Sequence, residues 1–251
     1  MRVILSRKGF DAGNGGFPSP ILPDGTLLSL PINSKVDSVK FSDLHHGDRS
    51  YYDIIRELKP KSRITPKWTC HQDPDIRAGV VSRAKDWVGV FGQHSASQGH
   101  LRNQHVSEGD VFLFFGLFRQ TEERDGKLCF KKSAPPQHII FGYLIIDNII
   151  SDKGQVPDFA HSHPHVKNWD EYGTNNCIYT AMKVSPWDES MPGFGTFRIS
   201  DDLILTKAGY SCSRWELPSF FDDIEISYHT KASHKADYFP SAPKGKEFVI
   251  E

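Results

Sequence analysis

Two nearly uninterrupted apolar runs limit what this chain can fold into. Residues 111–118 read Val-Phe-Leu-Phe-Phe-Gly-Leu-Phe, and residues 138–146 read His-Ile-Ile-Phe-Gly-Tyr-Leu-Ile-Ile. Each is too short for a membrane-spanning helix, which needs roughly 20 apolar residues. Each is rich in the aromatic and β-branched side chains that pack well on a pleated surface. Strands that do not alternate with polar residues are covered on both faces. Between the runs lies Arg124-Asp125-Gly126-Lys127, a hairpin turn signal that leads to a further strand at 128–130.

The remaining elements are shorter. Residues 3–5, 26–32, 88–92, 176–181, 195–199, 203–205, 225–229 and 248–250 read as strands between turn signals. Ser50 followed by Tyr51, Asp53, Ile54, Ile55 and Leu58 gives an N-cap, a capping-box acid and one apolar helical face. The 16 prolines and 20 glycines are spread throughout, which suits short strands joined by long loops, and no linker marks a boundary. The expectation is one domain over residues 1–251, of α+β class. Its core is a mostly antiparallel β-sheet or partly open barrel with a few short helices and long loops. Gly109-Asp110 before the first apolar run, and the break at Gly142 in the second, resemble the small PUA-like barrels that bind bases or nucleic acid.

Charge does not announce a polyanionic partner, because 30 basic side chains face 31 acidic ones. A local basic groove remains compatible with that balance. The four cysteines form no C-x-x-C pair, so neither a disulfide framework nor a paired-cysteine zinc site is expected. The N-terminal apolar run is too short for a signal peptide. These features point to a soluble protein of the reducing cytoplasm.

Chemistry-bearing residues gather in four places. The loop from Ser6 to Gly16 is dense in glycine and charge. Arg7 and Lys8 offer cationic donors to a phosphate, Asn14 adds a polar contact, and Asp11 is a candidate general base or nucleophile. The spacing is not that of a Walker loop, and no helical pattern follows to make a dinucleotide fingerprint. The plainer alternative is a tight loop whose Asp and Asn bond their own backbone.

His71-Gln72-Asp73-Pro74-Asp75 is the second place, with Asp73 and His71 as catalytic candidates. Its Gln-Asp-Pro resembles the water-activating loop of uracil-DNA glycosylases. That likeness implies a water-orienting Asp and a distant His, here His161 or His163, although the surrounding sequence departs from that family. The structural alternative is that Asp73-Pro74-Asp75 starts a helix. Third, Gln93 and His100 carry donor and acceptor atoms able to read a base edge, or else belong to a polar surface loop. Fourth comes His161-Ser162-His163-Pro164-His165, where His163 is a candidate substrate contact. A zinc ion held with Cys70 or Cys177 is conceivable, but the spacing lacks the usual zinc patterns, so no metal and no cofactor is expected. Trp215 is the candidate stacking platform among five tryptophans, most of which are packing residues.

Several of these segments together resemble the family called nucleotide modification associated domain 3. They are residues 6–21 and 29–32, Cys70 to Ile76, Phe91-Gly92-Gln93 with Gly99-His100-Leu101, residues 109–116, His161 to His165 with residues 176–179, and residues 244–249. The resemblance covers nearly the whole chain. It implies association with systems that modify bases in DNA, often in phages and their bacterial hosts, and it assigns no reaction to individual residues.

The functional expectation is an enzyme acting on a flipped, modified base, with hydrolysis of the N-glycosidic bond as the natural reaction. The partner is DNA or a nucleotide carrying a modified base, and no membrane is involved. The alternatives are a non-catalytic reader of modified bases and a subunit of a base-modification or phage-defence system. All catalytic readings require the loop after the first strand and the Asp73 segment to share one cleft.

Overall fold

The computed structural model describes residues 1–217, 226–227, 239–240 and 247–250. In chain order the strands are β1 (Val3–Arg7), β2 (Ser19–Ile21), β3 (Ile32–Ser34), β4 (His45–His46) and β5 (Arg49–Ser50). Helix α1 (Tyr51–Leu58) follows, then β6 (Thr69–His71), β7 (Val90–Gln93) and helix α2 (Ser95–Asn103). The long β8 (Val111–Arg124), β9 (Lys127–Phe130) and β10 (Gln137–Ile150) come next, then the short helix α3 (Pro164–Lys167) and β11 (Cys177–Ala181). β12 (Phe194–Thr196), β13 (Arg214–Trp215), β14 (Phe239–Pro240) and β15 (Phe248–Ile250) close the chain.

The central sheet runs β15-β1-β8-β10-β11-β7, with β2 and β9 on β8 and β12 on β10. The α+β class with long loops is as expected. The sheet is mixed, however: β1 and β2 both lie parallel to β8, and among the described residues it does not close into a barrel. Parallel pairing needs a long return connection. The chain between β1 and β8 supplies it, and that intervening chain also builds much of the site.

The two apolar runs are β8 and β10, and both faces are indeed covered. Phe112, Phe114 and Phe118 enter one core cluster, while Leu113 and Phe115 face another with Leu5, Trp215 and Phe248. On β10 the inward positions change parity, from Ile139 and Phe141 to Leu144 and Ile146. A register shift between Ile140 and Gly142 explains the change, since one extra residue flips every later side chain. The β8–β9 hairpin turns at Asp125 and Gly126, both at positive φ, as a two-residue turn of the primed type requires.

Helix α1 begins with the expected capping box: Ser50 Oγ accepts from Asp53 N–H and Asp53 Oδ2 accepts from Ser50 N–H. It buries Tyr51, Ile54 and Ile55 in a cluster with Phe10, Phe41 and Leu128.

Three local expectations are corrected. Residues 26–32 make only isolated bridges at Thr26 and Leu27 before β3 begins. Leu27, Leu28 and Leu30 are all buried, so packing fixes this stretch, and Pro31 has no N–H for a ladder. Residues 203–205 make a single bridge, from Ile204 to Ile139. The polar stretch after Gln93 is helix α2, which buries only Gln98 and Leu101 and so shows no apolar period in sequence. Of the strand expected at 225–229, residues 225, 228 and 229 lie outside the described residues, as do 244–246. No helix among the described residues is long and apolar enough to cross a membrane. The four cysteines form no disulfide.

Candidate functional site

The end of β1, the end of β7 and the segment after β6 meet at a cavity of about 260 Å³. Arg7, Lys8, Asp11, Asn14, His71 and Asp73 line it, together with Gly92, Gln93, His94 and His165. The loop after the first strand and the Asp73 segment thus face the same space.

The loop is organised by Asp11. Its Oδ1 accepts from the N–H groups of Gly13 (2.7 Å) and Asn14 (2.8 Å), and its Oδ2 accepts from Arg7 Nη2 (3.0 Å). The glycines also have structural reasons. Gly15 sits at φ +79°, and a Cβ there would lie 2.2 Å from the Phe10 ring. The loop is the self-bonded structure offered as the plainer alternative, and its cationic side chains Arg7 and Lys8 line the cavity.

Asp73 is held by groups remote in sequence. Its Oδ1 accepts from Gly92 N–H (2.8 Å) and lies 3.3 Å from His163 Nε2; its Oδ2 accepts from Lys8 Nζ (3.2 Å). His163 caps α3 by accepting His165 N–H at Nδ1, which leaves the proton of the neutral ring on Nε2, toward Asp73. Burial alone raises the Asp73 carboxyl; the Lys8 ammonium, His163 and His165 outweigh it and hold the group below the ordinary carboxylate range. Asp73 is therefore a fixed anion and a weak base.

Two imidazoles stand beside it. His71 Nδ1 lies 2.8 Å from Asp37 Oδ2; a carboxylate only accepts, so Nδ1 carries a proton and the ring is held by that bond. Burial raises the Asp37 carboxyl, but hydrogen bonds from His71 and Ser34 more than offset it, and the group stays ionised. His165 Nδ1 donates to Asn176 Oδ1 (2.8 Å), whose Nδ2 donates back to His165 O (2.9 Å). The ring stacks on Tyr172 at 4.2 Å and fits only because residue 92 is glycine: a Cβ there would lie 2.2 Å from His165 Cγ. Burial pushes the His165 imidazole down to about 3, so it is neutral at ordinary pH. One ligand atom each from His71, Asp73 and His165 lie within 4.8 Å of one another.

Of the residues singled out in the sequence, Arg7, Lys8, Asp11, Asn14, His71, Asp73 and Gln93 line the cavity, and His163 supports Asp73 from behind. The Gln93 amide is engaged inside the protein: its Oε1 accepts His94 N–H and its Nε2 donates to Glu247. His100 is not among the lining residues; its Nε2 lies 3.0 Å from Ser227 Oγ, tying α2 to the C-terminal segment. Trp215 is no stacking platform. It is fully buried, edge-on to Phe115, with Nε1 donating to His138 Nδ1 and Cys212 O. Its ring faces are covered by the core. Asp75 pairs with Arg83 and Gln72, and Asp73-Pro74-Asp75 starts no helix.

Sequence reasoning gave no role to Asp37, Asn176 or Glu247, although 176–179 and 244–249 lie in the segments of family resemblance. Glu247 is buried, accepts from Ser6 Oγ and Gln93, and is raised by burial against the pull of Lys8. Their partners lie 11 to 241 residues away along the chain, from His165–Asn176 to Ser6–Glu247, so no local spacing reveals their roles.

The arrangement defines a class: a mixed-sheet α+β protein whose polar cavity joins two cations, a fixed carboxylate and two oriented imidazoles. The family model for nucleotide modification associated domain 3 matches residues 2–251, and the chain belongs to that family. Its role is thereby linked to the modification of nucleotides or DNA bases. No curated protein sequence and no solved structure matches the chain.

Proposed function

We propose that this protein is an enzyme that acts on a modified base of DNA or of a nucleotide, drawn out of the stack into the Arg7–His165 cavity, and that it hydrolyses the N-glycosidic bond. The carrying observation is the convergence of Asp73, His71 and His165 beneath two cationic side chains in one cavity. A space of about 260 Å³ suits one base and not a longer stretch of strand. Arg7 and Lys8 suit the phosphates flanking it. In the reaction, a water oxygen bonds to the sugar C1′ as the C1′–N bond breaks. The bonding pair leaves with the base nitrogen, which ends with one water proton, and the sugar keeps the hydroxyl. Charge builds up as a cation on the sugar, and the Asp73 carboxylate stabilises it. Family membership and the linked base-modification role support the substrate class.

The test is release of free base, by chromatography, from DNA carrying hydroxymethylated or glucosylated bases. Release is expected, with kcat lowered about 100-fold or more in His71→Gln and Asp73→Asn. Modification-dependent binding that both variants retain, with no base released from any substrate, would replace the enzyme by a reader.

A further inference from the structure

We infer that His71, Asp73 and His165 form a binding site for one divalent first-row transition ion at the floor of the cavity. The donor set is two imidazole nitrogens and one carboxylate oxygen, which suits zinc, iron, cobalt or manganese better than calcium or magnesium. Three protein ligands with the remaining positions open is the pattern of a catalytic ion, not a structural one.

Three observations carry the assignment. First, one ligand atom of each residue falls within a 4.8 Å span. Bonds of about 2.1 Å put ligands of one ion roughly 3–4 Å apart, so side-chain movements of about 1 Å or less close the set. Second, one nitrogen of each imidazole is already held, His71 Nδ1 by Asp37 Oδ2 at 2.8 Å and His165 Nδ1 by Asn176 Oδ1 at 2.8 Å. Metal-binding histidines are held in this way: the outer partner sets the tautomer and aims the free nitrogen. Asp37 lies 34 residues from His71 and Asn176 lies 11 from His165, so folding brings each ring its own separate holder. Third, the Asp73 carboxylate is oriented by Gly92 N–H, leaving the oxygen that faces Lys8 for the ion. An arriving ion takes over the charge that Lys8 Nζ neutralises at 3.2 Å. The neighbouring cluster His161-Ser162-His163 is not the site: His163 is spent on Asp73 and the α3 cap, and His161 contacts Val156 O.

In the hydrolytic reading above, the ion activates the attacking water, lowering its pKa toward neutrality. That chemistry rests on the proposed function, whereas the binding does not, and the two fail separately.

The test uses the full chain, stripped with a chelator and titrated with Co²⁺ and with Zn²⁺. The unmodified chain should bind one ion per molecule with Kd in the micromolar range or tighter. Co²⁺ should show visible d–d bands, and the fold should melt at higher temperature with either ion. His71→Ala, His165→Ala and Asp73→Asn should each weaken binding at least 10-fold, whereas His161→Ala should leave it unchanged. Absence of stoichiometric binding by the unmodified chain overturns the site without depending on any variant's folding. Equal affinity in folded His71→Ala and His165→Ala overturns it too. If Co²⁺ binds as expected and no base is released, the ion site stands and the glycosidic reaction falls.

Discussion

Asp11 and Asp73 line the same cavity, yet they spend their carboxylates in opposite ways. The hydrogen bonds described for the Asp11 carboxylate join groups within four residues of it: Arg7, Gly13 and Asn14. Asp73 bonds Lys8, Gly92 and His163, from three separate parts of the fold. The first pattern closes a loop and would do so in almost any context. The second assembles a charge centre that exists only when the whole chain is folded. A dense run of glycine and charge therefore marks the rim of the cavity, and its reactive floor is built by long-range partners.

The largest effect expected from this contrast is on stability. Asp73→Ala removes the anion that a largely buried Lys8 and a buried His163 both face, and should cost about 3–5 kcal/mol in urea unfolding. A cost below about 1 kcal/mol would show that the carboxylate is not the centre of a buried network. Asp11→Ala forfeits the two backbone hydrogen bonds from Gly13 and Asn14 and the ion pair with Arg7, and should cost about 1–2 kcal/mol in the same measurement. Asp11→Asn keeps the acceptor for Gly13 and Asn14 and should cost less than about 1 kcal/mol. If Asp11→Asn proved as damaging as Asp73→Ala, the distinction between rim and floor would collapse.

Histidines extend the comparison from the cavity to the core. His165 faces the cavity, while His138 is buried and accepts the Trp215 indole N–H. Burial pushes both from 6.5 down to about 3, so the unfolded chain binds these protons first. Each neutral ring contributes stability that is complete above about pH 6.5 and is lost as pH falls toward 3. Near pH 5 each should contribute a slope of about 1.4 kcal/mol per pH unit. His138→Gln offers Trp215 an acceptor without titrating, and unfolding curves between pH 4.5 and 6 should lose that much slope. An unchanged slope would mean that His138 is charged or exposed. The smallest effect belongs to His161, which is more than half exposed: His161→Ala should shift stability by no more than about 0.5 kcal/mol.

Much of the scaffold was legible before any coordinates. The runs at 111–118 and 138–146 could be buried strands and little else, and Ser50 with Asp53 fixed the start of α1. The turn at Asp125-Gly126 set its hairpin because the side chains that decide it are adjacent. Helix α2 was hidden, since a polar stretch with only Gln98 and Leu101 buried has no periodicity to read. Trp215 misled because a tryptophan's neighbours along the chain say nothing of what covers its rings.

What the sequence determined by itself is whatever depends on short spacing: strand and helix periods, caps, turns, and the self-bonded Asp11 loop. Steric and hydrogen-bonding preferences act over a few residues, so they can be read from a few residues. The tertiary structure alone decided that Asp37 would aim His71, that Asn176 would aim His165, and that Lys8 and Gly92 would fix Asp73 between them. Those contacts are set by the parallel return of β1 to β8 and by the sheet order, and burial makes them strong only after folding has excluded water.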